Sequence, residues 1–294
     1  MDRKLKLYLM TNKGLSALIT LISNLGSTVI HSVVCAKDAG VVEDYYREIE
    51  SVCKDNGIRF IDRLDAQIKE AGIYSIAIGW RWLISNEENL IVLHDSLLPK
   101  YRGFAPLVNA LLNREPCLGC TAIFANARFD EGDVIGQESI QVAYPLSIAT
   151  AIEMVSKCYS ILVCRIVTEL TAGRDLPRIP QKNSEATYSL WLDEEDYQIN
   201  WQASAEDVHQ FILAVGFPFK GASSQIKDRK VRILDAAPIQ GYSIARGAAG
   251  KVLFINDGCP WIVTGNGLIR VTKLIDDATR KSLLPWTSIR TRFS

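Results

Sequence analysis

The chain has 294 residues, zero formal net charge, 48% hydrophobic and 22% charged residues. That length is long for one hydrophobic core and points to two domains, with the composition of an ordinary globular protein. The neutral total hides an asymmetry: Trp201 to Ser294 holds 13 Lys/Arg against 7 Asp/Glu, a net +6, which leaves −6 on residues 1–200. This excess suits an anionic partner without demanding one. No apolar run approaches the ~18 residues of a membrane span, and no secretory signal pattern opens the chain, so no membrane partner is expected. The seven cysteines are an odd number and sit mostly in apolar runs (Cys35, Cys158, Cys164), as suits reduced thiols in the cytoplasm. Cys117-Leu118-Gly119-Cys120 is a lone CxxC with no second pair, too few ligands for a zinc site; no metal is expected.

In chain order, Lys4 to Met10 predicts a first strand and Leu15, Leu18, Ile19, Leu21 and Ile22 a helix. Val29 to Cys35 predicts a second strand, followed by a polar helix from about Val42 to Asn56, Phe60-Ile61, a helix through Ile68, and a short buried strand at Ser75 to Gly79. This βαβ rhythm predicts an α/β fold with a Rossmann-like, mostly parallel sheet. The first strand-to-helix turn, Met10 to Gly14, lacks GxGxxG, and no GxxxxGK[ST] is present, which argues against a dinucleotide or a P-loop nucleotide. Trp80-Arg81-Trp82-Leu83-Ile84 follows a strand end. The two indoles either line a pocket for a flat ring or cover the sheet edge.

Leu90 to Leu93 reads as a strand buried on both faces, closed by His94. The loop behind it holds Ser96, Pro99, Lys100, Tyr101, Arg102 and Gly103, a dense set of donors and turn residues. Ligands bind past the carboxyl ends of strands in open α/β sheets, and an imidazole there is either an acid/base group or a satisfied core histidine. A helix from about Ala105 to Asn113 has Pro106 in its first turn, Thr121 to Ala125 predicts a strand, and Ile148 to Leu170 a long helix. In Arg128 to Gln137, Asp130, Glu131 and Asp133 around Gly132 form either a solvated turn or a turn with one carboxylate oriented toward His94. Thr171 to Ser189 reads as a connector, which sets domains at 1–188 and 189–294. Ser204 is an N-cap with Asp207 as its partner, and the rest alternates as short strands of a small β-barrel or half-open sheet, with Asn266-Gly267 a two-residue hairpin turn. Val231 to Leu234 reads as an apolar edge able to pair with a second copy in a homodimer.

His94-Asp95-Ser96-Leu97-Leu98-Pro99-Lys100-Tyr101-Arg102-Gly103, with Phe129-Asp130-Glu131-Gly132-Asp133 further on, resembles the formyltransferases that use 10-formyltetrahydrofolate. That family includes methionyl-tRNA, glycinamide ribonucleotide and nucleotide-sugar enzymes. The C-terminal part from Asn200 is similar to that of the tRNA-type enzymes. The resemblance implies an asparagine-x-histidine pair and a distant aspartate: the asparagine hydrogen-bonds the formyl oxygen, and the histidine, held by the aspartate, moves protons. By matching positions the histidine is His94, the aspartate is Asp130, and the asparagine position is Val92, which has no donor. The folate pterin is expected against Trp80, Arg81, Trp82 and Ile84 and the loop of Asn126, Arg128 and Asp130. Substrate contacts are expected from Ser96, Lys100, Tyr101 and Arg102.

Losing one oxyanion donor costs ~3–4 kcal/mol of transition-state stabilisation. Three accounts of Val92 stand: protonated His94 takes the role; Ser96, Thr121 or Asn126 supplies the donor; or the chain binds folate and nucleotide with little activity. Retained activity is the expectation, because His94, Asp130 and the whole loop are intact. The expected acceptor is the amine of a nucleotide-linked amino sugar, a dTDP- or UDP-4-amino-4,6-dideoxyhexose for surface polysaccharide. Initiator methionyl-tRNA, a nucleic-acid partner, is the alternative.

Overall fold

The computed structural model describes residues 4–38, 41, 43–65, 73–84, 89–245 and 247–294. The chain divides into two compact units. One takes in the chain up to Ala110 with Glu115–Val142 and Thr150–Trp191; the other comprises Leu111–Arg114, Ala143–Ala149 and Leu192–Ser294.

In the first unit the chain runs β1 (Leu5–Leu9), α1 (Thr11–Leu25), β2 (Ile30–Cys35), α2 (Tyr46–Asp55), β3 (Arg59–Asp62), β4 (Tyr74–Ile78) and β5 (Leu90–His94). Then come β6 (Arg102–Gly103), α3 (Pro106–Leu112), β7 (Cys117–Phe124), β8 (Val134–Gln141), α4 (Ile148–Thr171) and β9 (Tyr188–Ser189). Seven strands form one sheet in the order β3-β2-β1-β4-β5-β7-β8. Strands β1 to β5 pair in parallel, while β7 runs antiparallel to both β5 and β8. The chain winds outward from β1 through β2 to β3, then returns to the other side of β1 with β4, so the strand order reverses between β1 and β4. Crevices at such reversals are where open α/β sheets bind ligands.

The expected mostly parallel α/β architecture is therefore present. Leu5, Leu7 and Leu9 are fully buried because β1 is central and covered on both faces. Helix α1 buries Gly14, Ala17, Leu18 and Leu21, the 3–4–7 spacing of one helical face. Pro106 occupies the first position of α3, where a missing N–H costs nothing. Several elements differ from the sequence expectation. Strand β8 falls partly in the stretch read as an acidic turn; its alternation of half-buried and exposed residues is that of an antiparallel edge strand, with too few apolar residues to register as one. Strand β7 begins at Cys117 rather than Thr121, which puts both CxxC cysteines on one strand at an odd spacing, hence on opposite faces. The expected polar helix starts at Tyr46, while Val42 and the helix through Ile68 lie outside the described residues.

The second unit holds α5 (Ala205–Ala214) and the strands β10 (Ala222–Ile226), β11 (Arg229–Ile239), β12 (Val252–Asn256), β13 (Cys259–Val263) and β14 (Leu268–Asp276). They form one antiparallel sheet, ordered β10-β11-β14-β13-β12. Ser204 caps α5 as expected: its Oγ accepts the Asp207 N–H at 3.1 Å and donates to Asp207 Oδ2 at 2.7 Å. Two expectations need correction. Val231 to Leu234 is not an edge, because β11 is paired on both sides and Val231 and Ile233 are fully buried. The β13–β14 hairpin closes one residue early: Thr264 N–H donates to Gly267 O at 3.1 Å, leaving Gly265-Asn266 at the tip. Among the described residues no helix is long and apolar enough to cross a membrane.

Candidate active site

The sheet delivers His94 to the carboxyl end of β5, with Thr121 of β7 directly opposite. The following loop is folded by its own polar groups. Ser96 Oγ donates to Lys100 O at 2.6 Å, and Thr121 Oγ1 donates to Ser96 O at 2.6 Å. The same threonine oxygen accepts the Leu98 N–H at 3.0 Å and Gln137 Nε2 at 2.9 Å. This arrangement turns Tyr101 O back onto the histidine, 2.7 Å from Nε2. A carbonyl only accepts, so Nε2 carries the hydrogen and Nδ1 is the proton-accepting atom of the neutral ring. Nδ1 lies 3.6 Å from Asp130 Oδ1, beyond hydrogen-bond length but facing the carboxylate.

Asp130 is held in turn. Its backbone is left-handed (φ 55°), and Oδ2 accepts the Gly103 N–H at 2.8 Å. Gly132 lets the loop approach β7: a Cβ there would lie 1.7 Å from Phe124 O. Gln181 closes the arrangement, donating to Asp130 O at 2.7 Å and to Gly132 O at 2.8 Å. Its Oε1 accepts from Arg102 Nε and Nη2 at 3.1 and 2.8 Å. Gln181 escaped the sequence reading because it lies in the polar, Pro-containing connector, where no periodicity singles it out.

The other face of the His94 segment is pinned by a second group the sequence did not reveal. Tyr159 of α4 donates to Leu93 O and to Asp95 Oδ1, and Lys13 of α1 pairs with Asp95 Oδ2. Burial alone would raise the Asp95 carboxyl, but Lys13 and Tyr159 outweigh it and hold it below the usual range. Burial, then the Asp95 charge, pushes the Tyr159 phenol up. Lys13 lies in a turn without a glycine-rich signature, and Tyr159 in a long helix whose spacing gives no sign of a polar role.

Of the four expected substrate contacts, three have side chains bonded within the chain. Ser96 is spent on Lys100 O; Tyr101 donates its hydroxyl to Glu115 at 2.8 Å; Arg102 is buried, bonding Gln181 and Asn183. Only Lys100 points outward, 3.5 Å from Glu115. On the other side of β5, Trp80 stacks edge-on against Tyr8 and Trp82, with centroids at 5.1 and 5.4 Å. Trp80, Ile84 and Val92 pack together on the apolar cluster of Tyr8, Val34, Ala77 and Leu90. Arg81 pairs with Asp38 at 2.9 Å, and Arg63 lies over the Trp82 ring. Asn126 Oδ1 accepts the Arg128 N–H at 2.9 Å, and Arg128 reaches Glu131 at 3.3 Å. Among the described residues no group of three or more His, Cys, Asp or Glu is placed to hold a metal.

Family models match both parts of the chain: the formyl transferase model over residues 52–163 and the formyl transferase C-terminal domain over residues 192–285. The chain belongs to the formyl transferase family. A methionyl-tRNA formyltransferase of Syntrophomonas wolfei subsp. wolfei is 32% identical over 184 residues, which is 63% of this chain and 58% of that relative's length. An N-formyltransferase of Helicobacter canadensis, solved with folinic acid and dTDP-3-aminofucose, superposes with a TM-score of 0.68 at 16% identity, covering 91% of this chain and 98% of that one. The methionyl-tRNA formyltransferase of Clostridium thermocellum gives 0.55 at 17% identity over 74% and 96%. These likenesses place the chain among formyl transferase folds.

Proposed function

We propose that this formyl transferase moves the formyl group of 10-formyltetrahydrofolate to the primary amine of a nucleotide-linked amino sugar, with His94 as general acid/base and Asp130 as its charge partner. The observation that carries the reading is the His94 ring fixed between Tyr101 O and Asp130, with Nδ1 the open proton acceptor. The neutral amine attacks the formyl carbon and gives its proton to Nδ1. Asp130 stabilises the resulting imidazolium, which passes the proton to the departing folate nitrogen. The apolar wall of Trp80, Ile84 and Val92 suits the flat pterin, and the Asn126–Asp130 loop supplies polar groups at its edge.

The sugar acceptor is supported by the near-complete structural overlap with the Helicobacter enzyme, which was solved with dTDP-3-aminofucose. Methionyl-tRNA is a second reading, supported by the 32% identity to a methionyl-tRNA formyltransferase and by the +6 of residues 201–294. Cytoplasmic location follows from this reading, since folate and either acceptor are met there. The test supplies 10-formyltetrahydrofolate with dTDP- and UDP-4-amino-4,6-dideoxyhexoses and with charged initiator tRNA. Transfer to a sugar nucleotide is the expected result. Formylated tRNA alone would replace the acceptor, and binding without transfer to either would leave only a folate- or nucleotide-binding role.

A further inference from the structure

We propose that the indole N–H of Trp80 is the hydrogen-bond donor to the formyl oxygen during transfer, an inference that rests on the formyl-transfer reading above. As the amine's nitrogen bonds to the formyl carbon, the carbonyl π pair moves onto oxygen. The pair returns when the bond from carbon to the folate nitrogen breaks, and that nitrogen takes the proton the amine lost. A preorganised donor aimed at this oxygen is worth roughly 100- to 1,000-fold in kcat.

The hydroxyls and ring nitrogens around His94 offer no such donor, and Asn126, exposed and with its Oδ1 bonded to the Arg128 N–H, is the competing one. Val34, Tyr8, Ala77 and Val92 lie in register across β2, β1, β4 and β5 on one face, and valine donates nothing where it adjoins His94. The Ser96 and Thr121 hydroxyls already donate to Lys100 O and Ser96 O. Nε2 of His94 is committed to Tyr101 O, and Nδ1 faces Asp130. Trp80 stands two residues beyond β4, the parallel neighbour of β5, and packs on the same cluster as Val92. Its Nε1 is buried and, among the described residues, has no hydrogen-bond acceptor. Buried donors are almost always satisfied, so a group that completes this one is called for, and a formyl oxygen has the right chemistry. The ring is braced edge-on by Tyr8 and Trp82, and the formyl oxygen reaches its buried N–H as folate binding moves the neighbouring side chains apart.

Among the described residues Thr11 Oγ1 is a further buried hydroxyl without a partner, 3.0 Å from where a Cβ on Gly79 would stand. It belongs to the β1–α1 turn, one strand further from β5 than Trp80.

Trp80→Phe keeps the aromatic bulk and removes the N–H. The expected result is a fall in kcat of about 100-fold or more, with the folate KM changing less than threefold. At least tenfold of that loss is expected back in Trp80→Phe/Val92→Asn, where an amide on the adjoining strand can donate. A second readout needs no acceptor: the formyl C=O stretch of bound 13C-labelled 10-formyl-5,8-dideazafolate. It is expected at lower frequency in the unmodified protein than in Trp80→Phe, even if no amine tried is formylated. A kcat within twofold together with an unshifted stretch would overturn the proposal. So would a loss confined to the folate KM, or a kcat loss in Thr11→Val with Trp80→Phe unaffected.

Discussion

Among the described residues two arginines are almost completely buried, and their surroundings differ in kind. Arg232 in the second unit meets carboxylates: Asp277 at 2.6 Å and Glu194, with Gly221 O at 3.0 Å. Arg102 in the first unit meets mainly amides, Gln181 Oε1 and Asn183 Oδ1, with the Glu131 carboxylate further off at 3.6 Å. Matched charge makes Arg232 a structural tie. Arg102 instead spends its hydrogen bonds on orienting Gln181, whose amide N–H groups hold the loop carrying Asp130. Disrupting the first is expected to cost stability, and disrupting the second to cost chemistry.

The largest effect is expected at the end of the Arg102 chain. Asp130→Asn can still accept the Gly103 N–H but loses the charge facing His94, so kcat is expected to fall about 100- to 1,000-fold with folate affinity kept, measured by steady-state kinetics and calorimetric titration. Arg232→Met removes the buried cation between Glu194 and Asp277, leaving Glu194 to Lys230 and Lys220 and Asp277 to Arg280 at 3.8 Å. Both carboxylates are partly exposed, so the expected loss is about 2–3 kcal/mol in urea unfolding, with kcat per folded molecule within twofold. Arg102→Met leaves neutral amides unpaired, for about 1–3 kcal/mol, and lowers kcat/KM roughly tenfold as Gln181 loses its orientation. If both variants lost stability alone, the distinction between the two arginines would fail.

The contrast extends to pH. Burial would raise the Glu194 carboxyl, but Lys230, Arg232 and Lys220 overcome it and hold it at about 2. A depressed carboxylate contributes stability that is complete above its unfolded value of about 4.3 and is lost as pH falls towards 2. Melting curves are expected to show this acid loss and to show less of it in Glu194→Gln. The smallest change is at the α5 cap: Ser204→Ala is expected to cost about 1 kcal/mol in the same unfolding assay.

The sheet was legible because β1, β2, β4 and β5 are apolar runs separated by helical periods, and His94 with its loop was legible because ten residues of fixed chemistry stand together. Asp130 followed from the same resemblance. Strand β8 was hidden by its solvent face, and β10, Ala-Ser-Ser-Gln-Ile, by its small polar side chains. Gln181, Lys13 and Tyr159 reach the His94 region from 13 to 181 in the chain, a convergence only the tertiary fold creates. Ser96, Tyr101 and Arg102 stand out in the sequence as donors, and in the structure they bond Lys100 O, Glu115, and Gln181 with Asn183. Sequence shows that a side chain can donate and not where it is spent.

The central claim is that His94, fixed by Tyr101 O and facing Asp130, moves the protons of formyl transfer. Single-turnover transfer from 10-formyltetrahydrofolate to the best acceptor of the panel, compared between the natural protein and His94→Ala, tests it most directly. A fall of about 100- to 10,000-fold with folate binding retained is the predicted result. An unchanged turnover would contradict the account.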